Sequence, residues 1–191
     1  VSNITISGNS FTRTYSAVVG LSQRNLSGVL IENNDVSDVF RAFTFNSGGA
    51  VPVANGTNMA NITINGNLVD ASDFAVWLRN LHSSAGTGPV SFSNISVSEN
   101  SFLGGSFTVD ADLNVTDGPV SGTCNWYGSS DFESVDALVS GAINFVPFLT
   151  NGTDNEPSVI GFQPVPNACN GIAPVRVYSD GTETTLLSSH G

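Results

Sequence analysis

Asp110 and Asp112 are separated by one residue in TVDAD (108–112). Alternate residues of an extended strand share a face. Two carboxylates held about 5–10 Å apart across a glycosidic bond are what acid–base cleavage of a sugar linkage requires. Trp77 and Arg79 have the same spacing in AVWLR (75–79). An indole beside a carboxylate offers a sugar ring a flat apolar face and a polar anchor. Asp110, Asp112 and Arg79 are therefore the candidates for catalysis, and Trp77 with Asp110 the candidates for ligand binding. Solvated aspartates and a half-covered tryptophan would account for the same letters, so both readings stand.

A second acidic group comprises Asp35 and Asp38, one and four places after Asn34, with Asp70 and Asp73, three and six places after Asn67. Calcium takes about six to eight oxygen ligands, and these four are the candidates for it. The stagger equally suits solvated bends. Apart from that calcium reading, no cofactor is expected. His82 and His190 stand alone, and two cysteines without clustered histidines make no zinc set.

A repeat must position these groups. Asn9, Asn34, Asn67, Asn100 and Asn125 follow one another at intervals of 25, 33, 33 and 25 residues. Before the first four stand ITISGN, VLIENN, ITINGN and ISVSEN, in which Ile4, Val29, Ile62 and Ile95 share one place and Ile6, Ile31, Ile64 and Val97 another. Alternation of β-branched residues signals a strand with one apolar face. A second strand follows, in which Val18, Phe43, Val76 and Val109 are expected to point inward. The outward row is expected to run Val19, Thr44, Trp77, Asp110. Coils this short cannot bury an apolar face alone; stacked, they share one core. The expected fold is all-β: a right-handed, single-stranded parallel β-helix of about five to six coils with an irregular C-terminal tail.

The asparagines then form a ladder. A short amide can donate to a neighbouring carbonyl, accept from an N–H, and bond to its counterpart in the next coil, which a buried polar group needs. Asparagine also tolerates the left-handed backbone of a tight bend. The two longer intervals place extra residues at 48–59 and 83–92, equivalent places in adjacent coils. Stacked insertions map to one face of a solenoid, either a working face or surface decoration.

The segment CNWYGSSDFESVDALVSGAINFVPFL (124–149) resembles the closing coil of many secreted parallel β-helix proteins of the pectate-lyase-like superfamily. The matching parts are Asn125, Trp126, Tyr127 and Gly128, then Gly141, Pro147, Phe148 and Leu149. The resemblance covers residues 1–149 and implies the fold; Trp126 and Phe148 are expected to pack the cap. It does not choose a function, since that superfamily holds polysaccharide lyases, glycoside hydrolases, copper-site accessory proteins, phage spikes and adhesins. Lyases of this kind use a lysine or arginine as base. This chain has no lysine, and Arg13, Arg41 and Arg79 form no obvious file. The Asp-Asp, Gly-His-Gly and Arg-x-Lys patterns of polygalacturonase-like enzymes are missing from it.

Residues 150–191 are rich in turn formers and proline, so they are expected to leave the stack. VRVYSDGTETTLLSS (175–189) reads as a hairpin or a strap lying back along the helix. Cys124 and Cys169 are expected to form a disulfide tying this tail to the last coils, with two buried thiols as the alternative. Gly-Phe-Gln-Pro tails are similar to bridges to later domains in large bacterial surface proteins.

Sixteen carboxylates face five arginines, a net charge of −11. Such a surface repels nucleic acid and anionic membranes. Charged residues are only 11% of the chain, against roughly a quarter in an ordinary domain, and the acidic surface suits an extracellular, saline or cation-rich setting. No run of about 18 apolar residues is present, so membrane insertion is not expected. Seven N-x-S/T sequons begin at Asn3, Asn25, Asn55, Asn61, Asn94, Asn114 and Asn151. The chain begins inside a repeat, as expected of the C-terminal coils of a longer β-helix, of a processed fragment, or of a chain whose open edge an oligomeric contact covers.

The leading expectation is a noncatalytic structural or adhesive module, secreted or on a bacterial cell surface. Its partners would be an extracellular polysaccharide or host-surface glycan and further domains of the same longer chain. The rivals are a carbohydrate-active enzyme, or a fragment of one, and a phage or bacterial spike. A groove lined by Asp110, Asp112, Trp77 and Arg79 favours the enzyme, and a flat wall of Ser, Thr and Asn favours the module.

Overall fold

The structure is a computed structural model and describes residues 1–22, 25–47, 57–79, 90–110, 114–169, 175–177 and 183–185. The strands in chain order are β1 (Ser2–Ser7), β2 (Ser10–Thr12), β3 (Ser16–Ser22), β4 (Leu26–Glu32), β5 (Asp35–Ser47), β6 (Thr57–Asn65), β7 (Leu68–Arg79) and β8 (Val90–Ser98). Then come β9 (Ser101–Phe102), β10 (Ser106–Val109), β11 (Asn114–Val115), β12 (Val120–Ser121), the helix α1 (Phe132–Asp136), β13 (Val139–Ser140) and β14 (Ile143–Asn144). The tail carries β15 (Val175–Val177) and β16 (Glu183–Thr185), paired antiparallel.

Two seven-stranded sheets hold the molecule. One runs β1-β4-β6-β8-β12-β14 with β11 beside β8; the other runs β13-β10-β7-β5-β2, with β3 on β5 and β9 on β7. Every pairing within them is parallel. Each strand pairs with its counterpart in the neighbouring coil, which is the arrangement of a β-helical solenoid.

The first sheet has the register that alternation predicts. Ile4, Val29, Ile62 and Ile95 align, as do Ile6, Ile31, Ile64 and Val97. From Val29 onward these side chains are buried. In the second sheet Val18, Phe43 and Val76 align as expected, but the fourth member of the file is Phe107, not Val109. Phe107 follows Asn100 by seven residues, whereas Val76 follows Asn67 by nine. Gly104 and Gly105 make the shorter corner: a Cβ on Gly105 would lie 2.6 Å from the Ala75 amide nitrogen. The outward row is therefore Val19, Thr44, Trp77, Thr108.

The ladder is continuous. The Nδ2 groups of Asn9, Asn34, Asn67 and Asn100 donate to the Oδ1 of the next asparagine at 3.1, 2.9, 2.9 and 2.9 Å. Each backbone N–H donates to the same oxygen at 3.0 Å. Asn34, Asn67, Asn100 and Asn125 are buried. The left-handed bend does not fall on the asparagines. It falls on the residue before each: Gly8, Asn33, Gly66, Glu99 and Cys124 all have positive φ. The asparagine's own N–H must point along the stack, so its predecessor takes the turn.

A second stack of positive φ comprises Asn3, Gly28, Asn61 and Asn94. Each stands just before an inward Ile or Val, which is followed by the outward Thr5, Leu30, Thr63 or Ser96. Three of the sequons are thus the fold's own Asn–inward–outward repeat. Outside, Asn94 Nδ2 donates to Asn61 Oδ1 at 2.7 Å and Asn61 Nδ2 to Ser27 Oγ at 2.9 Å.

The last coil closes the core. Tyr127 is buried and donates to the Gly122 carbonyl at 2.7 Å; burial raises its phenol pKa well above the ordinary tyrosine value. Phe132 of α1 stacks on Phe145 at 5.7 Å, and Phe148 is buried beside it. Asp131 caps α1, accepting from Ser134 N and Oγ at 2.9 and 2.8 Å, and these bonds lower its carboxyl pKa. Gly152 lies so near Trp126 that a Cβ there would collide with the indole nitrogen.

Cys124 and Cys169 are joined, with Cα atoms 5.5 Å apart. Upstream of Cys169 the tail crosses the stacked bends. Gly161 N donates to Asp35 Oδ1 at 2.8 Å and Phe162 N to the Gly66 carbonyl at 2.7 Å. Among the described residues no helix is long and apolar enough to cross a membrane.

Candidate functional site

The outward faces of β3, β5, β7 and β10 carry the site. Phe43, Phe45, Val76 and Leu78 point into the core, so alternation turns Thr44, Asn46, Trp77 and Arg79 outward. Thr44 is the register partner of Trp77, and Asn46 of Arg79. Arg41 lies beside Phe74 in the neighbouring row.

These rows support a ridge of rings and guanidinium groups. Phe74 stacks on Trp77 with centroids 4.1 Å apart and an 18° interplanar angle. The Arg41 guanidinium lies 4.6 Å from the Trp77 centroid, 5.6 Å from Phe74, 5.1 Å from Phe40 and 5.4 Å from Tyr15. Arg79 lies 4.3 Å from the Trp77 centroid. Tyr15 and Phe40 stack at 4.9 Å. Cations over aromatic faces are attracted by the ring quadrupole, by roughly 0.5–1 kcal/mol at exposed sites. The ridge is self-supporting, and Arg41 is its hub.

Two carboxylates are bonded into it. Asp73 Oδ2 accepts from Arg41 Nε at 3.0 Å, and Asp110 Oδ1 accepts from Trp77 Nε1 at 2.8 Å. Asp110 thus reaches Trp77 diagonally, although Thr108 is the indole's partner in register. Among the described residues of the ridge, two arginines, Arg41 and Arg79, stand with two carboxylates, Asp73 and Asp110, so their formal charges cancel.

The sequence candidates divide clearly. Trp77, Arg79 and Asp110 are brought together, and Arg41 joins them. Arg13 lies apart, in a loose exposed pairing with Asp38 at 3.7 Å. Asp112, His82 and His190 lie outside the described residues. The four calcium candidates do not converge. Asp35 is in register with Leu68 rather than Asp70 and bonds to the tail at Gly161, Asp38 faces Arg13, and Asp73 faces Arg41. Among the described residues no group of three or more His, Cys, Asp or Glu side chains is placed to hold a metal ion.

Trp77 was the ring the sequence singled out, yet its face is already covered by Phe74 and the guanidinium groups. The open rings are Tyr15, 64% exposed, and Phe40, 38% exposed. The signal for them was present: each follows its ladder asparagine, Asn9 or Asn34, by six residues. Beside the ridge Thr44 is only 3% and Asn46 only 8% exposed, and Thr44 Oγ1 and Asn46 Oδ1 have no hydrogen-bond partner.

The first sheet presents a different surface. Thr5, Leu30, Thr63, Ser96, Ser121 and Asn144 form one outward row across it, and Ser7, Glu32, Asn65 and Ser98 another. These rows make a wall of mainly Ser, Thr and Asn. A cavity of about 370 Å³ lies at the tail, between Phe162 and Gln163 on one side and Asn33, Asn65 and Glu99 on the other, with the disulfide at its edge.

Comparison with protein-family models, with curated proteins and with solved structures returns no match to this chain.

Proposed function

We propose that this chain is a noncatalytic module that contacts glycans through the Tyr15–Phe40–Arg41–Phe74–Trp77–Arg79 ridge. The carrying observation is the ridge itself, with two open rings continuous with an indole that is bonded to a carboxylate. Stacked rings bind the apolar face of a sugar, and the flanking guanidinium and carboxylate groups hydrogen-bond its hydroxyls. The polar wall of the other sheet suits a rigid spacer. In this reading the solenoid is right-handed, with about five to six coils over residues 1–149. Residues 150–191 are a tail leading to further domains of a longer secreted or surface protein of bacterial origin. The closing-coil residues Asn125, Trp126, Tyr127 and Gly128 support placing it beside the pectate-lyase-like β-helix proteins.

A glycan array, run with a polysaccharide-depolymerisation screen, tests this reading. Binding without product release is expected, and Tyr15→Ala with Phe40→Ala should weaken it at least tenfold. Product release that stops in Asp110→Asn would instead establish the carbohydrate-active enzyme; the Trp77–Asp110 contact is the observation favouring that rival.

A further inference from the structure

Thr44 and Asn46 pose a physical problem. Their side chains are almost wholly buried, on the outward side of β5, and each leaves a polar atom without a partner. An unpaired buried polar atom is costly and uncommon in a native protein. Thr44 and Asn46 are the register partners of Trp77 and Arg79, at the end of the ridge that carries Asp110. Two orphans two residues apart on one strand, each in register with a residue of the ridge, mark a place where a ligand completes the hydrogen bonding.

The chemistry of the two atoms defines that ligand. The Thr44 hydroxyl donates and accepts, while Asn46 Oδ1 only accepts. A sugar with vicinal hydroxyl groups supplies a donor and an acceptor side by side. A carboxylate supplies only acceptors, so it would leave Asn46 Oδ1 facing a like lone pair and would meet Asp110. The ridge offers no net positive charge to offset this, because Arg41 and Arg79 are matched by Asp73 and Asp110. The whole chain carries −11.

We infer that Thr44 and Asn46, beside Trp77 and Arg79 in the sheet, form a subsite that reads the hydroxyl groups of a neutral sugar ring. The inference rests on the glycan-binding reading above and adds its specificity. The Arg79 guanidinium is held over the indole by a ring contact. A sugar entering the subsite displaces it, stacks on Trp77, and reaches Thr44 Oγ1 and Asn46 Oδ1 with adjacent hydroxyls.

The experiment is titration calorimetry of the whole chain with neutral gluco-, manno- and galacto-oligosaccharides and with oligogalacturonate. Melting of the free protein is recorded alongside. Thr44→Val keeps the shape and removes the unpaired hydroxyl. It should raise the melting temperature of the free protein and weaken the neutral ligand about threefold to tenfold, the worth of one hydrogen bond. Asn46→Ala should weaken the same ligand similarly, and it decides the matter should Thr44→Val not fold. In a Trp126→Phe background the fluorescence of Trp77 should change on binding. Unchanged affinity in both variants, with binding still lost in the Tyr15 and Phe40 double variant, would overturn the subsite and leave the glycan module standing. Preference for oligogalacturonate would overturn the neutral specificity alone. No binding by any glycan would overturn both.

Discussion

Replacing Asn67 by alanine should be among the most damaging single substitutions in this chain, and the ladder geometry says why. Its Nδ2 donates to the carbonyls of Ile31 and Asn65 at 3.0 Å each and to Asn100 Oδ1 at 2.9 Å. Its Oδ1 accepts from Asn34 N at 3.0 Å and Asn34 Nδ2 at 2.9 Å. The site is fully buried, so water cannot take over. Asn34 Nδ2 keeps Ile6 and Glu32 as partners, and Asn100 Oδ1 keeps the Asn67 backbone N–H. The Asn34 backbone N–H loses its ladder acceptor, at about 1–3 kcal/mol, and the other bonds cost about 1 kcal/mol each. Four such bonds and the stranded N–H together come to about 5–7 kcal/mol, comparable with the whole stability of many domains. Asn9→Ala is the internal control. It removes donated bonds to Ser7 O and Asn34 Oδ1 at an exposed end, where water substitutes, and should cost less than about 1 kcal/mol. Asn34→Ala should fall between them. Urea denaturation followed by far-ultraviolet circular dichroism reads all three. With a slope of about 1–3 kcal/mol per molar urea, Asn67→Ala should lower the midpoint by more than about 1 M. A shift no larger than that of Asn9→Ala would refute the argument that the ladder is a structural requirement.

Tyr127 makes the fold sensitive to alkali. Burial raises its phenol pKa above its unfolded value, so the contribution is complete below roughly pH 10 and is lost as pH rises beyond it. Tyr127→Phe should lose about 1 kcal/mol at pH 7, with the bond to Gly122, yet show a flatter decline above pH 10 in denaturation midpoints. Removing the disulfide by Cys124→Ser with Cys169→Ser opens a link spanning 45 residues. The chain-entropy argument sets the loss at about 4 kcal/mol, measured by the same denaturation, and a loss below about 1 kcal/mol would mean that Phe162 and the Asp35 contact hold the tail unaided.

The asparagine ladder, the inward files of the first sheet and the Cys124–Cys169 link were legible in the linear chain. Alternation and the recurrence of one short pattern before each asparagine are local properties, and stacking makes equivalent places into neighbours. The inward file of the second sheet was legible until Gly104 and Gly105 shortened a corner and moved the fourth coil by two residues. The left-handed bend falls one residue before each ladder asparagine, because which residue turns depends on the direction the asparagine N–H must take.

The site was less legible than the fold. Trp77, Arg79 and Asp110 were recognised as types, but Arg41, Tyr15 and Phe40 joined them only through contacts between coils. The sequence by itself determined a stacked parallel solenoid with buried amides, because a periodic apolar pattern has one economical way to bury its face. Tertiary structure decided which outward side chains meet. Residues 25–33 apart in the chain become lateral neighbours, and their contacts depend on the length of every corner between them and on the reach of each side chain.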